Sequence, residues 1–211
     1  MEQPNFKPTA ELMLRETASQ TAGPYVHIGL ALDVAGLPER DDEIWNRMAS
    51  DSADGERITV VGRVIDGNGD LVRDALLEAW QADGNGDYQP VYDSQANFNS
   101  FGRTATTAEG NSEWTLHTIK PGAISRADGK IMAPHINLAV FARGVNIQLQ
   151  TRLYFEDESE ANAQCPVLNA VESPMRRQTL IACRESDESG GTRYRLDIVL
   201  QGEGETVFFD Y

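Results

Sequence analysis

From Ile58 onward the chain runs in short stretches in which apolar and polar side chains alternate, each bounded by turn residues. A period of two puts alternate side chains on opposite faces, so such stretches predict strands with one buried face. ITVVGRVID (58–66) is rich in β-branched residues and ends in the turn DGNGD; ALLEAWQA follows and leads to a second DGNGD at 83–87. SEWTLHTI sets Trp114 and Leu116 against Glu113, Thr115 and His117. IQLQTRLYF sets Ile147, Leu149, Thr151, Leu153 and Phe155 against Gln148, Gln150, Arg152 and Tyr154. TRYRLDIVL sets Tyr194, Leu196, Ile198 and Leu200 against Arg193, Arg195 and Asp197. HINLAVFA is mostly apolar and is expected to be buried on both faces. Together these strands and their Gly-rich connections predict an all-β fold, an antiparallel β-sandwich.

Residues 1–57 read differently. The first twenty are polar and weakly patterned, and Gly23-Pro24 turns the chain ahead of an apolar run. RDDEIWNRMAS is expected to be a short helix, with Asp41 or Asp42 near its positive end and Ile44 and Met48 four residues apart on one face. Two further short helices are expected between strands, at DESEANAQ with acids in its first turn, and at SPMRRQTLIAC with Ser173 as cap and Pro174 in the first turn. The expected organisation is one domain over 1–211, with an N-terminal arm and helix at 1–57 and a sandwich body at 58–211.

Charge and composition narrow the function. The chain carries 18 Lys+Arg against 33 Asp+Glu, a formal −15. That balance excludes a general nucleic-acid binder, which needs a surplus of cations to displace counterions, and argues against docking on anionic membranes. No stretch reaches the roughly 18 apolar residues that span a bilayer, and the N-terminus lacks the apolar run of a secretory signal. A cytoplasmic protein with Cys165 and Cys183 as reduced thiols is expected.

Local motifs carry little chemistry. Asp83, Asn85 and Asp87 imitate the first positions of a calcium loop, but Tyr88 and Ser94 stand where the template needs Gly and Glu; the first copy, with Leu71 and Leu77 there, fails in the same way. Both are read as hairpin turns that use Gly and Asn at positive φ. His27, His117 and His135 are isolated, and no HxH, HExxH, CxxC, phosphate loop or GxSxG occurs.

Longer strings say more. TAGPYVHIG, EAWQADGNGDYQ, FNSFGRTATT, EWTLHTIKPG, APHINLAVFARG, TRLYFEDE, CPVLN and RLDIVLQGEGETVFFDY resemble the intradiol ring-cleaving dioxygenases, in order and over essentially the whole chain. The resemblance implies a β-sandwich enzyme in which non-haem Fe(III) is held by two Tyr and two His. One Tyr follows a Pro-Gly turn, here Pro121-Gly122, and its position falls on Ile124. The two His form an HxH whose positions fall on His135 and Asn137. The other Tyr position falls in the 83–98 loop, with Tyr88 and Tyr92 as candidates.

With Ile124 and Asn137 in place, the resemblance implies a chain that holds no metal and has no catalytic residue of its own. It would serve as scaffold and pocket wall to a homologous β chain that carries Fe(III). The implied substrates are O2 and protocatechuate (3,4-dihydroxybenzoate), and the implied substrate-binding residues are Thr21, Gly23, Pro24, Tyr25 and Arg143. Arg143 would meet the carboxylate through a charge-assisted hydrogen bond of roughly 1.5–3 kcal/mol, about ten- to a hundredfold in selection over plain catechol. The competing readings are a self-sufficient iron site made from His27, His117, His135 and a Tyr, and a non-enzymatic β-sandwich binding module.

Overall fold

The computed structural model describes residues 17–38, 40, 41, 43–107, 111–186 and 190–210. Twelve strands are present among them: β1 (Arg57–Gly62), β2 (Val64–Ile65), β3 (Leu76–Gln81), β4 (Phe101–Ala105), β5 (Trp114–Ile119), β6 (Ile124–Ser125), β7 (Ile131–Met132), β8 (His135–Phe141), β9 (Leu149–Phe155), β10 (Ile181–Ser186), β11 (Thr192–Arg195) and β12 (Ile198–Val199). Eight join in one sheet of order β4-β3-β8-β9-β10-β11-β1-β5. The sheet folds over on itself. Its two edges meet where Thr104 Oγ1 on β4 donates to Thr115 O on β5 at 2.8 Å.

The alternation expected from the sequence fills the interior. Trp114, Leu116, Leu153, Phe155, Tyr194 and Ile198 are fully buried and pack with Leu77, Ile136, Leu138 and Val140 in one core. β8 differs from expectation on its other face. Ile136, Leu138 and Val140 are inside, but Asn137, Ala139 and Phe141 are only half-buried on the outer surface. Ile147 precedes β9 and is exposed. The sandwich is also not purely antiparallel. β9–β10 and β1–β11 run parallel. β10 follows a long excursion through α2 (Ser159–Gln164) and α3 (Pro174–Gln178), which lets the chain re-enter in the same direction. α2 lies where the sequence places it; α3 takes only the first part of SPMRRQTLIAC, since Ile181, Ala182 and Cys183 already belong to β10, and Ser173 Oγ accepts from Arg176 N at its start.

The helix expected over RDDEIWNRMAS is not formed. Asp42 lies outside the described residues. The backbone from Trp45 to Ala49 instead runs extended across the gap between β5 and the residues leading into β4. His117 N donates to Asn46 O at 2.7 Å, Met48 N to His117 O at 2.9 Å, Asn99 N to Met48 O at 2.8 Å and Arg103 N to Trp45 O at 3.2 Å. Met48 is buried in the main core. The i, i+4 pair that suggested a helix is outweighed by two free strand flanks offering backbone partners. The helix of this region lies earlier, as α1 (Pro24–Leu30), and rests Val26 and Leu30 against Leu76, Ala105 and Phe141 on the outer sheet face.

A largely buried cation ties the sandwich together. Lys120, just past β5 and 12% exposed, bonds Asp157 Oδ2 at 2.9 Å and Glu158 Oε1 at 2.7 Å, just past β9. Its ammonium also sits 5.6 Å from the Phe155 ring centre and 5.8 Å from that of Tyr194. Tyr194 Oη donates to the same Asp157 at 2.9 Å. Burial opposes ionisation of Asp157, but hydrogen bonds from Lys120 and Tyr194 and the Lys120 charge outweigh it and hold the carboxyl below its ordinary range. Lys120→Met removes the cation shared by Glu158 and by Asp157, whose other cation, Arg184, is 4.0 Å away, and is expected to cost about 1–3 kcal/mol in urea unfolding. A depressed folded pKa gives stability that is present above the unfolded value near 4 and lost as pH falls through the folded one. Asp157→Asn is therefore expected to flatten the stability profile between about pH 5 and pH 2, measured by denaturant midpoint against pH.

Candidate functional site

The arm and the turn after β8 come together through one hydroxyl. Thr21 Oγ1 accepts from Gly144 N at 2.7 Å and donates to Ala142 O at 3.3 Å, so it brackets Arg143 on both sides. Gly144 turns the chain there with φ +84. Gly23 is the cap of α1 and Pro24 its first helical residue. Tyr25 is 85% exposed, and the Arg143 side chain, 74% exposed, reaches back to Asp74 in a 2.5 Å ion pair. The other Asp74 oxygen is buried and has no hydrogen-bond partner among the described residues. Thr21 and Arg143 are thus brought into one assembly, and Tyr25 stands clear of it on the solvent side of α1.

The second set lies on the outer face of β8 and β9. Cross-strand register places His135 opposite Tyr154, Asn137 opposite Arg152 and, on the far side, Asn137 opposite Trp80 of β3. Trp80 stacks on Tyr88 with ring centres 5.6 Å apart and planes 8° from parallel. Of the two tyrosine candidates it is therefore Tyr88 that reaches this face. Tyr92 remains 39% exposed. Ile124 on β6 pairs with Met132 on β7, and Met132 Sδ receives a hydrogen bond from Arg152 Nη1 at 3.5 Å. A groove of about 260 Å³ runs along the same face between Glu78, Trp80, Phe101, Asn137, Ala139 and Gln150.

The electrostatics suit neutral groups. His135 Nδ1 lies 2.8 Å from Ala133 O, which can only accept, so this nitrogen carries the proton and the buried Nε2 has a bare lone pair with no hydrogen-bond partner among the described residues. Burial first, then the Arg152 charge, pushes the imidazole down to about 4. Burial raises the Tyr88 phenol although Arg152 and Asn137 pull it down, and burial raises Tyr154 far more. One neutral imidazole, two protonated phenols, a carboxamide and an aliphatic chain do not make a ferric site. Tyrosinate charge and a second imidazole are what Fe(III) would need, and a guanidinium stands among the donors instead. The residues present do not fit the iron that the family resemblance implies.

The other histidines do not supply the shortfall. His117 on β5 lies with Nδ1 3.3 Å from Thr59 Oγ1, its pKa lowered by burial and by Arg47, and His27 sits on α1. Among the described residues no three of His, Cys, Asp and Glu gather to hold a metal. Cys165 is buried and Cys183 exposed, both as free thiols.

Both DGNGD segments form the same turn. Asp66 Oδ1 accepts from Asn68 N and Asp70 N at 2.8 and 3.0 Å, and Asp83 Oδ1 accepts from Asn85 N and Asp87 N at the same two distances. Positive φ falls on Gly69 and Gly86, not on the asparagines. The second turn is also the platform for Pro121-Gly122. Gly122 N donates to Asp83 O at 2.8 Å, and this contact sets where the chain enters β6 and so where Ile124 lies. A larger concavity, about 410 Å³, opens beside this turn between Asp54, Asp83, Asn85, Asn97 and Phe98, and holds none of the candidate residues.

Arg152, Tyr154 and Trp80 are members of the face that sequence reasoning did not single out. The alternation of IQLQTRLYF already sets Arg152 and Tyr154 on its polar side, but nothing local says what stands opposite them.

Known proteins resemble the chain over most of its length. A family model described as Dioxygenase matches residues 32–202. The chain is similar, with 64% identity across 94% of its own length and 98% of the relative's, to the protocatechuate 3,4-dioxygenase alpha chain of Pseudomonas putida. It is also similar to the protocatechuate 3,4-dioxygenase beta chain of Burkholderia cepacia, with 32% identity across 72% of its length and 67% of the relative's. Among solved structures, the dioxygenase domain of a dioxygenase–carbohydrate-binding protein fusion from Streptomyces sp. SirexAA-E superposes with a TM-score of 0.55 at 25% identity, covering 81% of this chain and 98% of that one.

The two identical turns allow a controlled comparison. Nothing lies within 4 Å of a methyl added at Gly69, whereas at Gly86 it would run into the Ala123 carbonyl. Gly69→Ala is expected to cost about 1–2 kcal/mol for the left-handed backbone alone. Gly86→Ala adds overpacking of about 1–3 kcal/mol. The difference is read from paired urea unfolding curves.

Proposed function

The chain belongs to the intradiol dioxygenase family, and on that premise we propose that it is the α subunit of a protocatechuate 3,4-dioxygenase, completed by a homologous β chain that carries the iron. The observation that supports this most directly is the near full-length 64% identity to an α chain, joined to a ligand face in which Ile124 and Asn137 stand at donor positions. The reaction of the assembled enzyme inserts O2 between the two hydroxylated ring carbons of 3,4-dihydroxybenzoate and yields 3-carboxy-cis,cis-muconate. The redox chemistry belongs to the partner's Fe(III), and no step of it is assigned to this chain.

What this chain contributes is wall and scaffold. Thr21, Gly23, Pro24, Tyr25 and Arg143 form the edge offered to the partner's pocket. The exposure of Thr21, Tyr25 and Arg143 in the single chain suits that role, because a surface completed by a second subunit is open until the two meet. Arg143 answers an electrostatic need. A chain of formal charge −15 repels an anionic substrate, and a guanidinium at the rim compensates locally. Asp74 holds that guanidinium from below and leaves its outer N–H groups for a carboxylate. The whole of 1–211 acts as one unit in this reading, in the cytoplasm; no helix of the described residues is long and apolar enough to cross a membrane.

Purified alone, the chain is expected to be colourless, iron-free and inactive, and to yield a coloured active complex when co-expressed with a β chain. Stoichiometric iron and turnover by the chain alone would sink the subunit reading, and so would failure to form any complex. In the complex, Arg143→Ala is expected to raise KM for protocatechuate about ten- to a hundredfold while leaving KM for catechol nearly unchanged. Equal effects on the two substrates would remove the carboxylate role.

A further inference from the structure

A ligand face that has lost its metal keeps a need for positive charge wherever lone pairs and phenol oxygens still converge. On β8 and β9 those groups are the unpartnered Nε2 of His135, the phenols of Tyr88 and Tyr154 and the Asn137 carboxamide. The cation among them is Arg152. Its backbone lies opposite Asn137. Its Nη1 reaches Met132 Sδ at 3.5 Å, and Met132 is the strand partner of Ile124. Its guanidinium carbon stands 5.8 Å from the centre of the Phe209 ring, so an aromatic face braces it. The same charge acts on Tyr88, on His135 and on Tyr154. Arg152 is therefore connected to each of the degenerate positions Ile124, His135 and Asn137, and to the tyrosine that reaches this face.

We propose that the Arg152 guanidinium stands in for the metal ion, as the fixed cation around which the former ligand positions pack, and that it keeps this face closed to metal. The inference rests on the reading of the chain as the iron-free subunit. A guanidinium stays charged at any relevant pH, and a metal cation placed beside it in a half-buried site meets direct repulsion. Loss of the ligands and closure of the site are then separate changes, and reversing the first alone does not reopen it.

The test uses the assembled two-chain enzyme. Ile124→Tyr and Asn137→His are introduced together in this chain with position 152 as Arg, Lys or Gln. Iron per αβ pair is measured by elemental analysis, and tyrosinate-to-iron absorbance by visible spectroscopy. With Arg152 or Arg152→Lys, iron is expected to stay at the β chain's own complement; with Arg152→Gln it is expected to double, with a matching rise in absorbance. Uptake of a second iron with Arg152 in place overturns the proposal, and so does the absence of a second iron in all three proteins when each is folded and assembled. In the otherwise unchanged chain, Arg152→Gln is expected to lower Tm and Arg152→Lys to recover most of the loss; a Tm that ignores the charge counts against a fixed cation. Failure of the subunit reading shows itself separately, in the unaltered chain, as no complex with β or as iron bound by this chain alone.

Discussion

The antiparallel register of β8 on β9 puts His135 against Tyr154 and Asn137 against Arg152, and the chemistry of the outer face follows from those two pairings. Register in a sheet with one packed face is set by the other side. Ile136, Leu138 and Val140 on β8 and Leu153 and Phe155 on β9 are committed to the core, so a slip by one residue would expose all of them. The polar face inherits its arrangement from this apolar constraint. An imidazole, a carboxamide, a phenol and a guanidinium are held side by side by a main core that none of them enters, although Tyr154 is itself buried in a smaller apolar cluster with Cys165, Leu168 and Leu180.

The same economy governs how the face is bounded. The Pro121-Gly122 turn is seated on the second DGNGD turn, β6 leaves from it, and Ile124 takes its place opposite Met132. At the residue just before that turn, Lys120 links the ends of β5 and β9 through Asp157 and Glu158. The strands that carry the face are thus pinned near one end by a backbone contact between turns and by a charge cluster. The chain keeps the frame of the family, and Ile124, Asn137 and Arg152 are what it mounts on this face.

Much of this frame is legible in the sequence, for a local reason. Trp114, Leu116, Tyr194 and Ile198 declare their burial because a strand's two faces differ within a few residues, and Ser173-Pro174 declares a helix start because cap and first turn are adjacent. His135 and Asn137, two apart, announce that they share a face. What the sequence does not disclose is set by distant partners. The segment Trp45–Ala49 is extended because His117, Asn99 and Arg103 offer it backbone groups, and no pattern within RDDEIWNRMAS records that offer. The parallel pairings of β1 with β11 and β9 with β10 are likewise facts of topology. Arg152 reads as an ordinary polar-face residue until β8 is laid beside it.

The hydroxyl of Thr21 has a mechanical meaning as well as a chemical one. It grips the backbone just before and just after Arg143, so the arm and the arginine share one anchor and cannot be displaced independently. A force on the arm, whether from a neighbouring subunit that seats it or from a protease that severs it, is delivered to the turn that aims the guanidinium. On the proposed reading of Arg143 as the carboxylate contact, assembly and substrate selection become a single mechanical event, with the charge at the rim in position when the arm is.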